Sequence, residues 1–175
     1  MPEDLPEVKE PNTEEAIRKL DSMTGLENVK KQILDHTALV KMNNLRAGKG
    51  IFNKMPPMHM VFTGNPGTGK TTIAKHIGEI YHSIGVLSSG HVIETDRTKL
   101  VGEYLGVTEK NTLNAIRSAS GGVLFIDEAY SLSVQDGEKK DFGMRVIETL
   151  LTYLGSDDTD MIVILAGYTQ EMQKM

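Results

Sequence analysis

The chain holds 175 residues, with 24 acids against 19 bases (formal charge −5), 39% hydrophobic residues and no cysteine, so one domain with a real core is expected, and disulfides, thiolate metal sites and thiol catalysis are excluded. No Lys/Arg block stands ready to neutralise phosphates, which argues against a nucleic-acid partner, and the longest apolar run, Met161–Gly167, falls far short of the ~20 residues that a membrane span needs. The acidic, Pro-punctuated opening MPEDLPEVKE is unlike a secretory signal, and a cytoplasmic location is the expectation.

Residues 1–12, with Pro2, Pro6 and Pro11 among acids, read as a flexible lead-in to a domain over 13–175. Asn12 or Thr13 can cap a short helix in which Ala16, Ile17 and Leu20 share a face. A second helix follows Gly25, carries Leu26, Val29, Ile33, Val40 and Leu45 on one stripe, and ends at Gly48/Gly50. Strand and helix then alternate. His59–Thr63 is a β-favouring run, followed by a Gly-rich turn and a helix with Ile73, Ile77, Ile80 and Ile84. His91–Thr95 is the next strand, and Thr108 can cap a helix bearing Leu113 and Ile116 that stops at Gly121 and Gly122. Val123–Ile126 is wholly apolar. Asp141 can cap a helix with Val146, Ile147, Leu150, Leu151 and Leu154, stopped by Gly155. Met161–Ala166 is again wholly apolar, and Thr169–Met175 starts another helix. Short apolar strands alternating with amphipathic helices predict an α/β fold whose parallel sheet is covered on both faces.

Residues 64–71 read GNPGTGKT and match G-x-x-x-x-G-K-[ST]. Gly64, Gly67 and Gly69 let the backbone bend so that successive N–H groups face phosphate oxygens, and the helix starting near Lys70 adds its N-terminal dipole. Lys70 is expected to reach the β/γ-phosphates and the Thr71 hydroxyl to ligate Mg²⁺. The cofactor-binding set is thus Gly64, Asn65, Pro66, Gly67, Thr68, Gly69, Lys70, Thr71 and Thr72. A Gly-rich turn can match this pattern by chance, but the preceding strand and following helix are the context that the chemistry requires.

A second motif, VLFIDEAY at 123–130, delivers two carboxylates at the end of a buried strand, where such sheets bind ligands. Asp127 is expected to hold Mg²⁺ directly or through water, and Glu128 to polarise the attacking water, so Lys70, Asp127 and Glu128 form the catalytic set. The adjacent acid pair favours ATP hydrolysis, and no N-K-x-D segment of the guanine-reading kind occurs. The five histidines, His36, His59, His76, His82 and His91, lack ligand spacing, so no dedicated histidine metal site is expected.

GNPGTGKT with LFIDEA resembles the AAA+ ATPases, ring-forming P-loop motors. LDSMTGLENVKKQI (20–33) resembles their segment that cups adenine, which implies adenine contacts near Met23, Thr24 and Gly25. Tyr104, Leu105 and Gly106 resemble the pore loop that grips polypeptide, the reading preferred over a loop aromatic packed on the surface. IVILAGYTQEM resembles the strand carrying the sensor-1 position, here Tyr168 or Thr169 where many members have Asn. LVGEYLG, LFIDEAYSL, DFG and ILAGY together are closest to the branch of red-type rubisco activases and stage V sporulation protein K-like ATPases.

The resemblance implies a three-layer P-loop NTPase domain, the AAA+ large subdomain, with sheet order 5-1-4-3-2. It also implies ATP and Mg²⁺ as cofactors, and a homo-oligomeric (hexameric) ring that remodels a protein partner. Residues 137–141, GEKKD, read as a solvated loop or as a second pore loop. The only arginine beyond Glu128 is Arg145, so the arginine finger, strand 5 and helical lid are missing, and the chain reads as truncated after sensor 1. A nucleotide-binding fragment or regulatory module with little hydrolysis is the alternative on that account.

Overall fold

The computed structural model describes residues 13–25, 27–52, 56–64, 69–133, 140–155 and 160–174. Four strands, β1 (Met60–Thr63), β2 (Val92–Thr95), β3 (Val123–Ile126) and β4 (Ile162–Gly167), form one sheet in the order β1-β4-β3-β2 with every pairing parallel. Helices α1 (Thr13–Ser22), α2 (Glu27–Ala47), α3 (Lys70–Ser83), α4 (Arg97–Leu100), α5 (Leu105–Ala119), α6 (Lys140–Leu154) and α7 (Thr169–Gln173) make the connections, with a 3-10 turn at Ala129–Leu132. The order matches the 1-4-3-2 part of the order implied by resemblance; no fifth strand occurs among the described residues. None of the described helices is long and apolar enough to cross a membrane.

The central strands explain the layering. Successive side chains of a strand point to opposite faces, and β3 is apolar and buried at every position. Val123 and Phe125 join Leu20, Ile33, Ile73 and Ile77 in one core under α1, α2 and α3. Leu124 and Ile126 join Ile116, Val146 and Leu150 in the other, under α5 and α6. Strand β1 lies at the sheet's edge and alternates, with Met60 and Phe62 buried and Val61 and Thr63 exposed.

The structure corrects several boundaries: β1 and β2 each begin one residue later than expected, at Met60 and Val92, and β4 runs on to Gly167. Helix α5 starts at Leu105 with Tyr104 as its N-cap residue, so Thr108 is not the cap. Thr108 is fully buried instead, and its Oγ1 accepts the Gly102 N–H at 3.0 Å while its own N–H donates to the Tyr104 carbonyl. These bonds close the segment 102–108 into a tight bend whose outer residues face solvent. Helix α6 begins one residue before Asp141, and β4 begins one residue after Met161. The lead-in 1–12 lies outside the described residues.

His59, just before β1, accepts the Val163 N–H on Nδ1 at 3.0 Å, and burial pushes its imidazole below the usual 6.5. Protonation at Nδ1 ends that bond, so as pH falls the unfolded chain takes up this proton first. The site's contribution to stability is complete above 6.5 and is lost as pH drops below it. The thermal unfolding midpoint is expected to fall between about pH 7.5 and 5.5, and to fall less in His59→Asn. Equal pH slopes in the two proteins would rule His59 out as the source.

Candidate functional site

The strand order brings distant motifs together. Strand β4 lies between β1 and β3, so the segments leaving β1 at Gly64, β3 at Asp127 and β4 at Tyr168 emerge side by side at one sheet edge. Thr63 pairs with Gly167, and the Gly64 N–H donates to the Gly167 carbonyl at 3.2 Å, so the turn after β1 starts against the end of β4.

Asn65, Pro66, Gly67 and Thr68 lie outside the described residues. Gly69 closes the turn in the left-handed region (φ 76°), which favours a residue without Cβ. Helix α3 opens there with no side-chain cap from Gly69, and a helix start favours an anion through its N–H groups and dipole. Lys70, half-buried, donates from Nζ to the carbonyls of Gly64 (3.3 Å) and Gly167 (3.5 Å) and lies 5.3 Å from the centre of the Tyr168 ring. Thr71 is half-buried beside it, and Thr72 is exposed.

Across β4, the Asp127 N–H donates to the Thr95 carbonyl, and its Oδ1 accepts the Glu128 N–H at 2.9 Å. That bond leaves the carboxylate further lone pairs for a cation. Glu128 is exposed and sits at φ 48°, the one positive φ of a non-glycine among the described residues. A left-handed L-residue costs about 1–2 kcal/mol, and strain of this kind clusters at functional sites. Two residues on, Tyr130 packs its ring 6.0 Å from that of Tyr168. Burial first, then the Glu128 carboxylate, with Tyr168, Glu171 and Asp127, pushes the Tyr130 phenol upward. A Cβ on Gly167 would fall 2.7 Å from Met172 Sδ and 2.9 Å from Tyr130 Cδ1, so this close approach needs glycine.

The other site residues fall into separate places. Met23 Cε lies 3.4 Å from where a Cβ on Gly69 would stand, so the segment of Met23, Thr24 and Gly25 borders the start of α3. Lys30, almost fully buried, holds that segment by donating to the Met23 and Asp21 carbonyls and pairing with Glu27. Tyr104 (70% exposed), the N-cap of α5, and Leu105 and Gly106 in its first turn face solvent. Tyr168 belongs to the cluster; Thr169, which opens α7, is exposed. Arg145 is engaged within the chain, bonding Glu109 at 2.8 Å and Glu148 at 3.3 Å. Residues 137–139 of GEKKD lie outside the described residues, and no group of three or more His, Asp or Glu side chains that could hold a metal by themselves occurs among the described ones. Sequence reasoning gave Tyr130 and Lys30 no role. The aromatic next to the acid pair was a readable signal for Tyr130, whereas a lysine on a helix reads as a solvated one.

The donor set fits a magnesium nucleotide: an uncapped helix start, an ammonium and a carboxylate turn share one sheet edge. Comparisons with known proteins identify the family. Residues 60–175 match the ATPase family associated with various cellular activities (AAA). Stage V sporulation protein K of Bacillus subtilis is 43% identical over 166 residues, 95% of this chain and 51% of that protein. Protein CbbX of Cereibacter sphaeroides is 42% identical over 160 residues, 91% of this chain and 52% of that protein. The chloroplastic ribulose bisphosphate carboxylase/oxygenase activase of Cyanidioschyzon merolae is 40% identical over 169 residues, 96% and 57%. The crystal structure of the FIGL-1 AAA domain in complex with ADP superposes with a TM-score of 0.57 at 23% identity, covering 84% of this chain and 48% of that one, a likeness of fold. The chain spans about half the length of the curated relatives it matches.

Proposed function

Because the chain belongs to the AAA ATPase family, we propose that it binds Mg·ATP and that, assembled into a homo-oligomeric ring, it hydrolyses ATP to remodel a protein partner. The observation that carries this is the Lys70 ammonium, held at the ends of β1 and β4 beside the uncapped start of α3, with Asp127 and Glu128 on the far side of β4. The backbone of Gly64–Thr72 cradles the phosphates and Lys70 meets the β/γ oxygens. Thr71 and Asp127 would hold Mg²⁺, which would supply charge neutralisation on the phosphate oxygens. Glu128 orients a water and takes its proton as the water's oxygen bonds to the γ-phosphorus, the bond from phosphorus to the β,γ-bridging oxygen breaks, and ADP leaves with that oxygen. Thr24 and Gly25 lie along the adenine, and Tyr168 or Thr169 occupies the sensor position. A cytoplasmic location accords with this chemistry.

Phosphate release from Mg·ATP, measured per subunit against protein concentration with Glu128→Gln as background, tests the reading. A rate above background that rises with concentration is expected for a ring in which one copy completes another's site. A rate no higher than that of Glu128→Gln at any concentration would overturn it, leaving a nucleotide-binding module.

Tyr104, Leu105 and Gly106 serve in this reading as the loop that grips the partner. The support is their exposure on a bend made rigid from within by Thr108. Tyr104→Ala in the full-length protein is expected to keep ATP turnover within about twofold, as an exposed side chain away from the site should, and to lose remodelling. Remodelling at the parent's rate would refute the assignment.

A further inference from the structure

The ring face of Tyr168 beside Lys70, and the Tyr130 ring behind it, have no role in the reading so far. Tyr168 presents its ring to the Lys70 ammonium, whose Nζ also donates to the carbonyl just before that ring. The ring is fenced from behind. Tyr130 lies 6.0 Å away, the Met172 N–H donates to the Tyr168 carbonyl, and the missing Cβ of Gly167 lets Tyr130 and Met172 close in. Tyr130 is itself fixed, because its 3-10 turn is tied by the Ser131 N–H to the Glu128 carbonyl and by Arg97 Nη1 to the Ser131 carbonyl at 2.7 Å. Lys70 thus neighbours Tyr168, Tyr168 neighbours Tyr130, and Tyr130 stands two residues after the strained Glu128 in the same hydrogen-bonded turn.

We propose that the Tyr130–Tyr168 pair is a positioning element of the nucleotide site. Tyr168 holds the Lys70 ammonium by its ring face, and Tyr130 ties that ring to the turn bearing Asp127 and Glu128. The inference rests on Lys70 being the phosphate-binding lysine, and it assigns the work at Tyr168 to the aromatic face rather than to the phenol. A cation is attracted to the negative face of a ring, and phenylalanine offers that face as tyrosine does.

Two measurements on the chain test it. In the NMR spectrum the ε-methylene of Lys70, identified by its loss in Lys70→Ala, is expected to be shifted upfield by the ring. That shift should vanish in Tyr168→Leu and persist in Tyr168→Phe. The affinity for a fluorescent ATP analogue is expected to fall about fivefold in Tyr168→Leu and to recover in Tyr168→Phe. Tyr130→Leu, by freeing the ring, should reduce both the shift and the affinity. If Lys70→Ala binds the analogue like the parent, the phosphate-site reading fails. If Lys70→Ala loses binding while Tyr168→Leu keeps the parent's shift and affinity, the phosphate site stands and the aromatic pair is not its positioning element. Equal losses in Tyr168→Phe and Tyr168→Leu would also overturn the proposal, since the phenol would then be the active part.

Discussion

Glu128→Gln is expected to bind Mg·ATP with the parent's affinity and to release phosphate more slowly by about two to four orders of magnitude, the usual worth of a positioned general base. The substitution keeps size and hydrogen-bonding reach but removes the group that accepts the water's proton. Two features make the result interpretable. The side chain is exposed, so no buried partner is orphaned by the change. The backbone at φ 48° is held by bonds the amide leaves intact, namely the Glu128 N–H to Asp127 Oδ1 and the Ser131 N–H to the Glu128 carbonyl. Unfolding midpoints should therefore coincide while turnover does not. Undiminished phosphate release at matched affinity would move the base to another residue, and Asp127, bonded to the same turn, would be the first to test.

What the sequence made legible follows from how local each signal is. The runs Val123–Ile126 and Met161–Ala166 could only be strands covered on both faces, and they are the two inner strands of the sheet. Their order required no guess from periodicity, because the family resemblance supplied it and β1-β4-β3-β2 agrees. Helix α4 and the 3-10 turn span four residues each, too short for a periodic pattern to appear. Thr108 shows the limit of cap chemistry. Threonine before an apolar run suggests an N-cap, but this hydroxyl is used to close the bend from Gly102, and the helix begins three residues earlier without a side-chain cap. The site was legible in its charges and glycines, which have fixed spacing in the chain. The Tyr130–Tyr168 contact was not, since it joins residues 38 apart that meet only once β3 and β4 are paired. The left-handed backbone at Glu128 was hidden for the same reason: glutamate carries no sequence mark of that conformation.

Lys70→Ala is expected to weaken ATP binding by about 100-fold, the upper part of the range for charge-assisted hydrogen bonds to phosphate in a partly desolvated site. The fold should tolerate the change. Nζ is shared between two carbonyls at 3.3 and 3.5 Å, long bonds that contribute little. The Gly64 N–H to Gly167 carbonyl bond, which joins β1's exit to β4, does not involve the side chain. Loss of affinity with an unchanged unfolding midpoint would then report on the site alone. The size of the loss should follow the phosphates: large for ATP, and small for adenosine, whose proposed contacts are at Thr24 and Gly25. A uniform loss across both ligands would point to a collapsed turn after β1, because removing an ammonium that meets only phosphate cannot by itself weaken a ligand that has none. Unchanged ATP affinity would remove the central residue from the site. The uncapped start of α3 would then have to hold the phosphates by backbone and dipole alone, which typically contribute about 0.3–1 kcal/mol at an exposed terminus and fall well short of the binding expected here.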